Sequence, residues 1–401
     1  MLEEMENAVW LYMGKREWNP EQLSNLAAWC ERNRISKVLL HLPLHARLRI
    51  ENAEEIRALI DSCGAQGLEI HAMITTLVQR VESRSDLLLQ DRDCYCIDQH
   101  GVANWDEPPL GKLFLPDPSH PLTVPTISAA CRDIVEQFPG LAGIHLDFIR
   151  FYYYQSELKV DIRNGGHWNS LLKPGEPIRL QTADGSTATF FIGEVNRAFQ
   201  DPPIGRELVL QRTYTYCYCS RCLSLFQQSS GVDIPVSLQD TPAIAKWLQD
   251  HAKEPWLQFR ASLISDTVRA IREAMREHDP AKQLSAAVWY NAPYGNELRE
   301  EPLVAGSVYE HFAQAWWEWA QEGLLDFVCP MNYWLKPSSF GKITQSQVVQ
   351  SAAKVPVYAG LLRSAEFPIE RSDLELYKQE AKSAGARGLS FFSYDGWREL
   401  I

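Results

Sequence analysis

The sequence predicts a single (β/α)8 barrel spanning residues 1–401, in the α/β class. Short apolar runs rich in Val, Ile, Leu and aromatic residues alternate with amphipathic stretches, a rhythm typical of βα units and a parallel sheet. Eight such runs occur, which favours a closed barrel over an open sheet. An apolar content of 45% provides enough material for a large core, and barrels often reach 401 residues through loop insertions.

The elements follow one another in a regular order along the chain. The first strand is 8–13 and its helix 20–32, the second strand 37–42 and its helix 53–63, and the third strand 68–74. A helix at 125–137 is closed by Pro139-Gly140, which precedes the fourth strand, 143–150. The remaining predicted strands are 284–290, 326–333, 356–361 and 388–394, with helices at 309–322 and 373–383.

The longest predicted helix is 255–277. Pro255 suits the first helical position, where no N–H donor is needed. Apolar side chains recur at helical spacing through this segment, which predicts one face packed on the barrel. They are Trp256, Phe259, Leu263, Val268, Ile271 and Met275.

Two long insertions interrupt the βα rhythm. Residues 84–122 follow the third strand, and residues 151–254 separate the fourth strand from its helix. The second insertion contains short strands at 177–181, 187–193 and 207–216, which predict a small β-subdomain of about residues 175–216, and then a cysteine-rich segment at 217–222. Both insertions follow strand C-termini, the face on which barrels build their sites, so we expect them to wall a cleft.

Composition excludes some classes of function. The formal charge is −12 and no stretch concentrates Lys and Arg, which argues against nucleic-acid binding. The N-terminus has no signal-peptide pattern and no run is long enough to span a bilayer, so we expect no membrane insertion and a cytoplasmic protein as written, or an extracytoplasmic one if a signal peptide was removed. Nine cysteines favour a reducing compartment over a disulfide framework. Oligomeric state is left open.

The fourth strand carries the best candidate for a chemical role. Alternation along it places His145 and Asp147 on one face, while Ile144 and Leu146 face the helices. An inward carboxylate near a strand C-terminus needs a partner or exposure to a cleft, and Arg150 is close enough in sequence to pair with it. The position of Asp147 at the C-terminal end of a strand favours a functional site. The alternative is a structural Asp–Arg pair.

Glycoside hydrolysis usually requires two carboxyl groups, a proton donor and a nucleophile or base. Asp147 is predicted to be one of them. The predicted partner is Asp395, which directly follows the eighth strand. Other acids at strand ends or in loops remain alternatives: Glu310, Glu366, Asp106 and Asp117.

Aromatic and amide side chains accumulate after several strands. Aromatic faces stack on the C–H faces of pyranose rings, and amides bond hydroxyls, so these residues predict a sugar platform. The predicted substrate-binding residues are Arg150, Trp289, Asn291, Asn332, Tyr333, Trp334 and Tyr394.

Cysteine spacing predicts a metal site. Cys217, Cys219 and Cys222 form a C-x-C-x-x-C run, and Cys94 or Cys96 in the preceding insertion would supply a fourth thiolate. We expect structural zinc held by Cys94, Cys217, Cys219 and Cys222, with free thiols or a disulfide between the insertions as alternatives. No organic cofactor is predicted.

Several segments resemble a known family. The stretch Phe114–Pro121, with its Asp-Pro-Ser-His-Pro run, and the strand Gly143–Arg150 resemble glycosyl-hydrolase-like family 10, formerly unknown-function family 187. Segments 256–260, 284–289 and 323–333 are also similar to it. The resemblance covers the third to eighth strands and implies a TIM barrel acting on glycans, with some relatives linked to bacterial cell-wall glycan. The family often carries an acid just before the tryptophan of its fifth-helix segment, where this chain has Gln314-Ala315-Trp316.

The run Tyr216–Cys222 is similar to the cysteine cluster of zinc-bearing family 42 β-galactosidases, which also follows the fourth strand. This likeness implies zinc. It does not imply galactosidase activity, because the Asn-Glu sequence that carries the acid on the fourth strand of that family is Leu146-Asp147 here.

Together these observations predict a glycoside hydrolase that cleaves O-glycosyl bonds of a poly- or oligosaccharide. The alternative is a glycan-binding barrel without catalysis, since the fifth strand offers no acid and Gln314 replaces another. A metal-dependent hydrolase would need inward ligands on several strands, for which His41, His71 and His145 are available; their mid-strand positions favour a role as barrel filling.

Overall fold

The computed structural model describes residues 5–14, 18–44, 52–80, 87–108, 113–161, 178–181, 187–190, 207–289, 306–364 and 367–401. The described strands, in chain order, are β1 (Asn7–Leu11), β2 (Ile35–His41), β3 (Glu69–Thr75), β4 (Gln79–Arg80), β5 (Leu113–Phe114), β6 (Gly143–Asp147), β7 (Tyr154–Asp161), β8 (Ile178–Gln181), β9 (Thr187–Phe190), β10 (Glu207–Tyr214), β11 (Gln283–Val288), β12 (Phe327–Pro330), β13 (Tyr358–Leu362) and β14 (Gly388–Phe392).

The described α-helices, in the same order, are α1 (Pro20–Arg32), α2 (Ala53–Gly64), α3 (Thr123–Gln137), α4 (Ser220–Ser230), α5 (Thr241–His251), α6 (Lys253–His278), α7 (Gly306–Phe312), α8 (Trp316–Gln321), α9 (Pro337–Gln350), α10 (Arg371–Ser383) and α11 (Tyr394–Trp397). None of the helices in these described ranges is both long enough and apolar enough to cross a membrane.

Eight parallel strands form a nearly closed barrel, which confirms the predicted fold. Their order around the barrel is β12-β11-β6-β3-β2-β1-β14-β13. The two end strands approach each other through a parallel bridge between Val328 and Val357, with Val328 N donating to Pro356 O at 3.0 Å. β6 lies between β3 and β11, in registers that pair Thr75 with Asp147 and Ser285 with His145.

Two layers of apolar side chains hold this architecture. One fills the barrel interior, with residues such as Trp10, Met73 and Phe327. The other lies between the strands and the surrounding helices, and includes Ile144 and Leu146 of β6. Because the strands are buried on both faces, they read in sequence as nearly continuous apolar runs.

Local sequence signals set the positions of several elements. α1 begins at Pro20 behind Asn19, whose side chain accepts from Gln22 N at 3.1 Å in a capping box. β6 begins at Gly143 because the chain passes so close to β11 that a Cβ there would lie 1.9 Å from Gln283 O.

The helix predicted at 309–322 is wrong in one respect. It is two helices, α7 and α8, separated at residues 313–315. Ala313 has a φ of +54°, which a continuing α-helix does not allow, and Gln314 turns its side chain into the barrel. Helices α4, α5, α9 and α11 were not predicted from the sequence.

The insertions follow β3 and β6, as predicted. In the first, β5 pairs antiparallel with β4, which lies just before the predicted start of the insertion. In the second, β8 and β9 form an antiparallel hairpin, and β10 pairs with β7, a strand that the sequence analysis did not assign. Helices α4 and α5 then lead to α6.

Candidate functional site

The carboxyl group of Asp147 lies at the C-terminal end of β6, inside the barrel mouth. Asp147 is 7% exposed, and its Oδ1 accepts a hydrogen bond from Phe148 N at 2.8 Å. The neighbouring insertion is tied to the same point, since Thr76 N donates to Asp147 O at 2.8 Å and Leu77 N to Phe148 O at 3.2 Å. Phe148 follows with a φ of +52°, in the left-handed region that ends the strand conformation.

The surroundings of Asp147 raise the pKa of its carboxyl group. Burial raises the pKa of the carboxyl, while Arg150, the Phe148 amide and Arg80 oppose this only in part. Among the residues that the structure describes, the charged groups that shift the pKa of Asp147 are both arginines. A hydrolytic pair requires a second carboxylate, and none in the described part of the chain contributes to that shift.

Two tyrosine hydroxyls lie in the same electrostatic environment. Burial and the charge of Asp147 raise the pKa of Tyr12 and of Tyr333, so both stay protonated. His41 stacks on Tyr12 with ring centroids 5.1 Å apart, and burial and Arg80 lower its pKa. At neutral pH the hydroxyls of Tyr12 and Tyr333 and the imidazole of His41 are uncharged.

Aromatic side chains surround this point, and we call them the aromatic mouth. Neighbouring members lie 5.7–6.3 Å apart between centroids, running from Tyr12 through Phe392 and Tyr333 to Trp289 and Trp334. Several are only half-buried, so they offer apolar faces to a ligand. The members are Tyr12, Phe148, Trp289, Tyr333, Trp334, Phe367 and Phe392.

Arg150 joins the two sides of the aromatic mouth. Its guanidinium carbon lies 4.5 Å from the Phe148 ring, 4.9 Å from Phe312 and 5.5 Å from Trp289. These are cation–π distances. The structure thus brings together five of the predicted site residues: Asp147, Arg150, Trp289, Tyr333 and Trp334.

Gln314 fixes the position of Trp289. Its Oε1 accepts from Trp289 N at 3.0 Å, and its Nε2 donates to Ile149 O and Ala287 O at 3.1 and 3.3 Å. The fully buried amide is therefore committed to three backbone groups. The position where the resembling family often carries an acid is structural here.

Two predicted sugar-binding residues face away from the aromatic mouth. Asn332 is 1% exposed and exchanges hydrogen bonds of 2.8 Å with Gln347 of α9, so strand alternation directs it outward. Tyr394 is 7% exposed and packs edge-on against Trp29 of α1 at 5.2 Å. The prediction that these two contact substrate is corrected accordingly. Asn291 lies outside the described residues.

The predicted second carboxylate, Asp395, lies on the surface. It occupies the first turn of α11 with its side chain 50% exposed, 3.8 Å from Arg398 Nε. Because a helix begins at Tyr394, the carboxylate does not continue the strand into the barrel mouth. Asp395 is therefore in a solvated ion pair, which corrects the expectation that it faces Asp147.

A second cluster joins the two insertions. One ligand atom from each of Asp117, Cys217, Cys219 and Cys222 lies within 4.8 Å of the others, and all four residues are buried. Asp117 Oδ2 is 3.0 Å from Cys219 Sγ and 3.6 Å from Cys217 Sγ, and Asp117 Oδ1 is 3.5 Å from Cys222 Sγ. Three of the four predicted ligands are confirmed to lie together.

The fourth member of this cluster is Asp117 and not Cys94. Cys94 Sγ instead lies 3.4 Å from His120 Nδ1. Asp117 reaches the cluster because the first insertion folds back on itself, with Asp117 N donating to Cys94 O at 2.8 Å and Cys96 N to Leu115 O at 2.9 Å. Cys96, the alternative fourth ligand, is hydrogen-bonded to Cys217 and helps to lower the pKa of its thiol.

The donor set fits zinc. With Zn–S bonds of about 2.3 Å and a Zn–O bond of about 2.0–2.2 Å, tetrahedral geometry separates sulfur and oxygen ligands by about 3.5 Å, close to the separations found here. Burial and Cys219 raise the pKa of Asp117 to about 7, because several acidic groups crowd one buried volume. A divalent cation relieves that crowding, so the cluster can bind a metal such as zinc.

Backbone amides already point at the sulfur atoms. Ile97 N donates to Cys217 Sγ, and Cys222 N to Cys219 Sγ, both at 3.3 Å. Cys219 is the N-cap of α4, where the helix dipole favours negative charge. Burial opposes ionisation of Cys217, yet hydrogen bonds from Cys219 and Cys222 bring its pKa well below the usual value.

The histidines considered for a hydrolytic metal do not form such a site. His71 and His145 lie inside the barrel and both contact Phe327, with ring centroids 5.1 and 6.1 Å from it. His145 Nδ1 is hydrogen-bonded to Ser285 Oγ at 2.8 Å. Within the described ranges, the set of three or more potential ligands that can share one ion is the cysteine–Asp117 cluster.

Comparison with known proteins identifies the architecture. No known protein family and no curated protein sequence matches this chain. Among solved structures, the catalytic domain of β-amylase from Paenibacillus polymyxa is similar at a TM-score of 0.57 and 11% identity, over 99% of this chain and 97% of that one.

Two β-galactosidases are also similar. That of Rahnella sp. R3 matches at a TM-score of 0.57 and 9% identity, and a GH42 β-galactosidase from G. stearothermophilus at 0.56 and 8%. Each match covers 97% of this chain but only 50% and 51% of the β-galactosidases, so the chain spans about half of their length. At such identities the comparisons show the fold alone: a TIM-like barrel distantly similar to those of glycoside hydrolases.

Proposed function

We propose that the chain is a glycoside hydrolase-like enzyme that cleaves a poly- or oligosaccharide, with Asp147 as the proton donor. The carrying observation is the buried carboxyl of Asp147, with its raised pKa, inside the aromatic mouth. A general acid must hold its proton near neutral pH until the leaving oxygen takes it, and burial of a carboxyl does this. The aromatic mouth provides the stacking surfaces that pyranose rings require.

We propose that the second carboxylate comes from a segment that follows a barrel strand. Residues 290–305 follow β11 and contain Glu297, Glu300 and Glu301, and Glu366 follows β13. All four lie outside the described residues. Membership of glycosyl-hydrolase-like family 10 is part of the same proposal, and rests on the strand-four and strand-six motifs.

Structural zinc in the cysteine–Asp117 cluster belongs to the proposal as well. Asp117, Cys217, Cys219 and Cys222 would hold the ion, with the Ile97 and Cys222 amides orienting two sulfur atoms. Four protein ligands leave no open position for substrate, so the ion would stabilise the fold and would not take part in the reaction.

The test incubates the chain with a broad panel of poly- and oligosaccharides and measures hydrolysis as the release of product. Asp147→Asn should lower kcat at least ~100-fold, which is the usual loss when a general acid is removed. Substrate binding should change little, because the amide preserves shape and the bond from Phe148 N. Asp61→Asn, at an exposed position on α2, is the matched control. Turnover by Asp147→Asn at the unsubstituted rate would refute the assignment.

One observation favours a second candidate, a glycan-binding barrel without catalysis. Gln314 replaces an acid common in the resembling family, and its amide is fully committed to backbone groups. This candidate would be favoured over the hydrolase if the chain binds glycans and releases no product. Glu→Gln changes at positions 297, 300, 301 and 366 should then leave glycan binding unchanged.

A further inference from the structure

The rim of the aromatic mouth carries an exposed guanidinium group. Arg80 ends β4, and its guanidinium carbon lies 5.7 Å from the Phe148 ring, the same ring that Arg150 contacts at 4.5 Å. Hydrogen bonds from Thr76 N and Leu77 N to the carbonyl groups of Asp147 and Phe148 hold the segment leading to Arg80 against the end of β6. Arg80 is thus fixed beside the candidate acid.

The charge of Arg80 acts directly on this site. It opposes the raised pKa of Asp147 and lowers the pKa of His41. Within the portion of the chain that the structure describes, no carboxylate forms an ion pair with Arg80. Asp147 lies buried with its Oδ1 accepting from Phe148 N, and it forms no ion pair with Arg80.

Two arginines against one ring of the mouth stand out on a chain whose formal charge is −12. Recognition of neutral sugars needs no cation, since hydroxyls are bound by neutral donors and acceptors and by aromatic faces. An exposed guanidinium, in contrast, has the planar fork that binds carboxylate and sulfate oxygens in pairs. Apolar walls around it reduce screening by water and strengthen such a pair.

We propose that the barrel mouth binds a saccharide bearing an anionic group, carboxylate or sulfate, and that Arg80 binds that group. This inference rests on the proposed function, because it names the substrate class of the same site. Sugar rings would stack on the half-buried aromatic residues, and the acidic substituent would lie at the rim beside Phe148.

The test measures binding of the full chain to an array of matched oligosaccharides of hexose, of hexuronic acid and of sulfated hexose. We expect at least about tenfold tighter binding to one anionic series than to the neutral one, weakening with salt. The uronate and sulfate arms distinguish the two sources of charge. Arg80→Gln should remove most of this preference and leave neutral binding within about twofold, and Arg80→Lys should restore part of it. Arg132→Gln, on the partly exposed surface of α3, is the matched control.

The outcomes separate this inference from the proposed function. Equal binding of neutral and anionic series, or equal effects of Arg80→Gln and Arg132→Gln, overturns the role of Arg80 and leaves a glycan-binding barrel intact. Failure of every series to bind or be cleaved overturns the proposed function and this inference with it. A preference for an anionic series that is lost in Arg80→Gln and kept in Arg132→Gln supports the inference, whether or not the Asp147→Asn variant still cleaves substrate.

Discussion

Asp147 is held in an environment that disfavours its ionised form. Desolvation raises its pKa, and neither the amide of Phe148 nor the two nearby arginines fully compensates. Such positions are unfavourable for stability, and they persist where a carboxyl must keep its proton. The sequence pointed to this residue because strand alternation determines which side chains face the barrel interior. It gave no sign of Arg80 or Tyr12, which approach Asp147 from other elements.

Stability should therefore depend on pH through Asp147. The pKa in the folded chain lies above the unfolded value of about 3.9, so the contribution of this carboxyl to stability is complete below about pH 3.9 and is lost as the pH rises through the folded-state pKa. Each unit of difference corresponds to about 1.4 kcal/mol. Asp147→Asn removes the titration. The free energy of unfolding of this variant, relative to the unsubstituted chain, should increase between pH 4 and pH 8 in urea titrations.

Asp61→Asn serves again as the control, since its carboxylate lies exposed on α2. It reports the effect of removing an exposed carboxyl group under the same conditions. A stability difference for Asp147→Asn that does not change with pH would show that folding does not raise the pKa of Asp147, and the case for a proton donor would fail with it.

At the level of elements, Arg260 of α6 joins the cysteine cluster to the aromatic mouth. It is 2% exposed, and its Nε donates to Tyr216 O at 2.7 Å and its Nη1 to Glu310 O at 2.9 Å. Tyr216 precedes the first cysteine of the cluster, and Glu310 lies on α7, whose Phe312 contacts Arg150. One side chain thus links the segment that carries the cysteine cluster to the helix beside the aromatic mouth.

Arg260→Met should lower the free energy of unfolding by about 2–4 kcal/mol, because two buried carbonyl oxygens lose a charged donor and methionine supplies none. The same helix offers a matched control. Arg269 is a partly exposed residue that pairs with Asp266 and Glu322, and Arg269→Met should change stability by less than about 1 kcal/mol. Urea unfolding of both variants measures the difference; equal losses would show that Arg260 adds no more than a surface pair.

The break between α7 and α8 shows where sequence periodicity stops being informative. Apolar residues continue at helical spacing through 309–322, so the pattern predicts one helix. The buried amide of Gln314 makes three hydrogen bonds to groups on other elements, and these outweigh continuation of the helix. Long-range partners of this kind leave no trace in local spacing.

For the whole molecule, the barrel could be predicted because its strands are buried on both faces and its helices carry one apolar face each. The same regularity placed Asp147 and Tyr333 correctly. Asn332 could have been excluded by counting alternate residues from Phe327, which points it outward. Asp395 could not, because its orientation depends on a helix that begins at Tyr394. Asp117 was named only as a spare acid, since the loop pairing that brings it to the cysteines is long-range.

Metal content provides the test that separates the ligand set in the structure from the set predicted by sequence. We expect about one zinc per chain by elemental analysis, since structural sites of this kind take four ligands. Asp117→Ala should weaken zinc binding by more than the about 10–100-fold loss that is typical when a residue hydrogen-bonded to a metal ligand is removed. It should also lower the Tm of the zinc-loaded chain, because metal binding to a folded site is linked to folding. Cys94→Ala should leave the zinc content unchanged, since the Cys94 thiol lies against His120 and is not among the ligand atoms of the cluster. The reverse pattern would restore Cys94 as the fourth ligand, and a metal-free chain of unchanged Tm would remove the centre altogether.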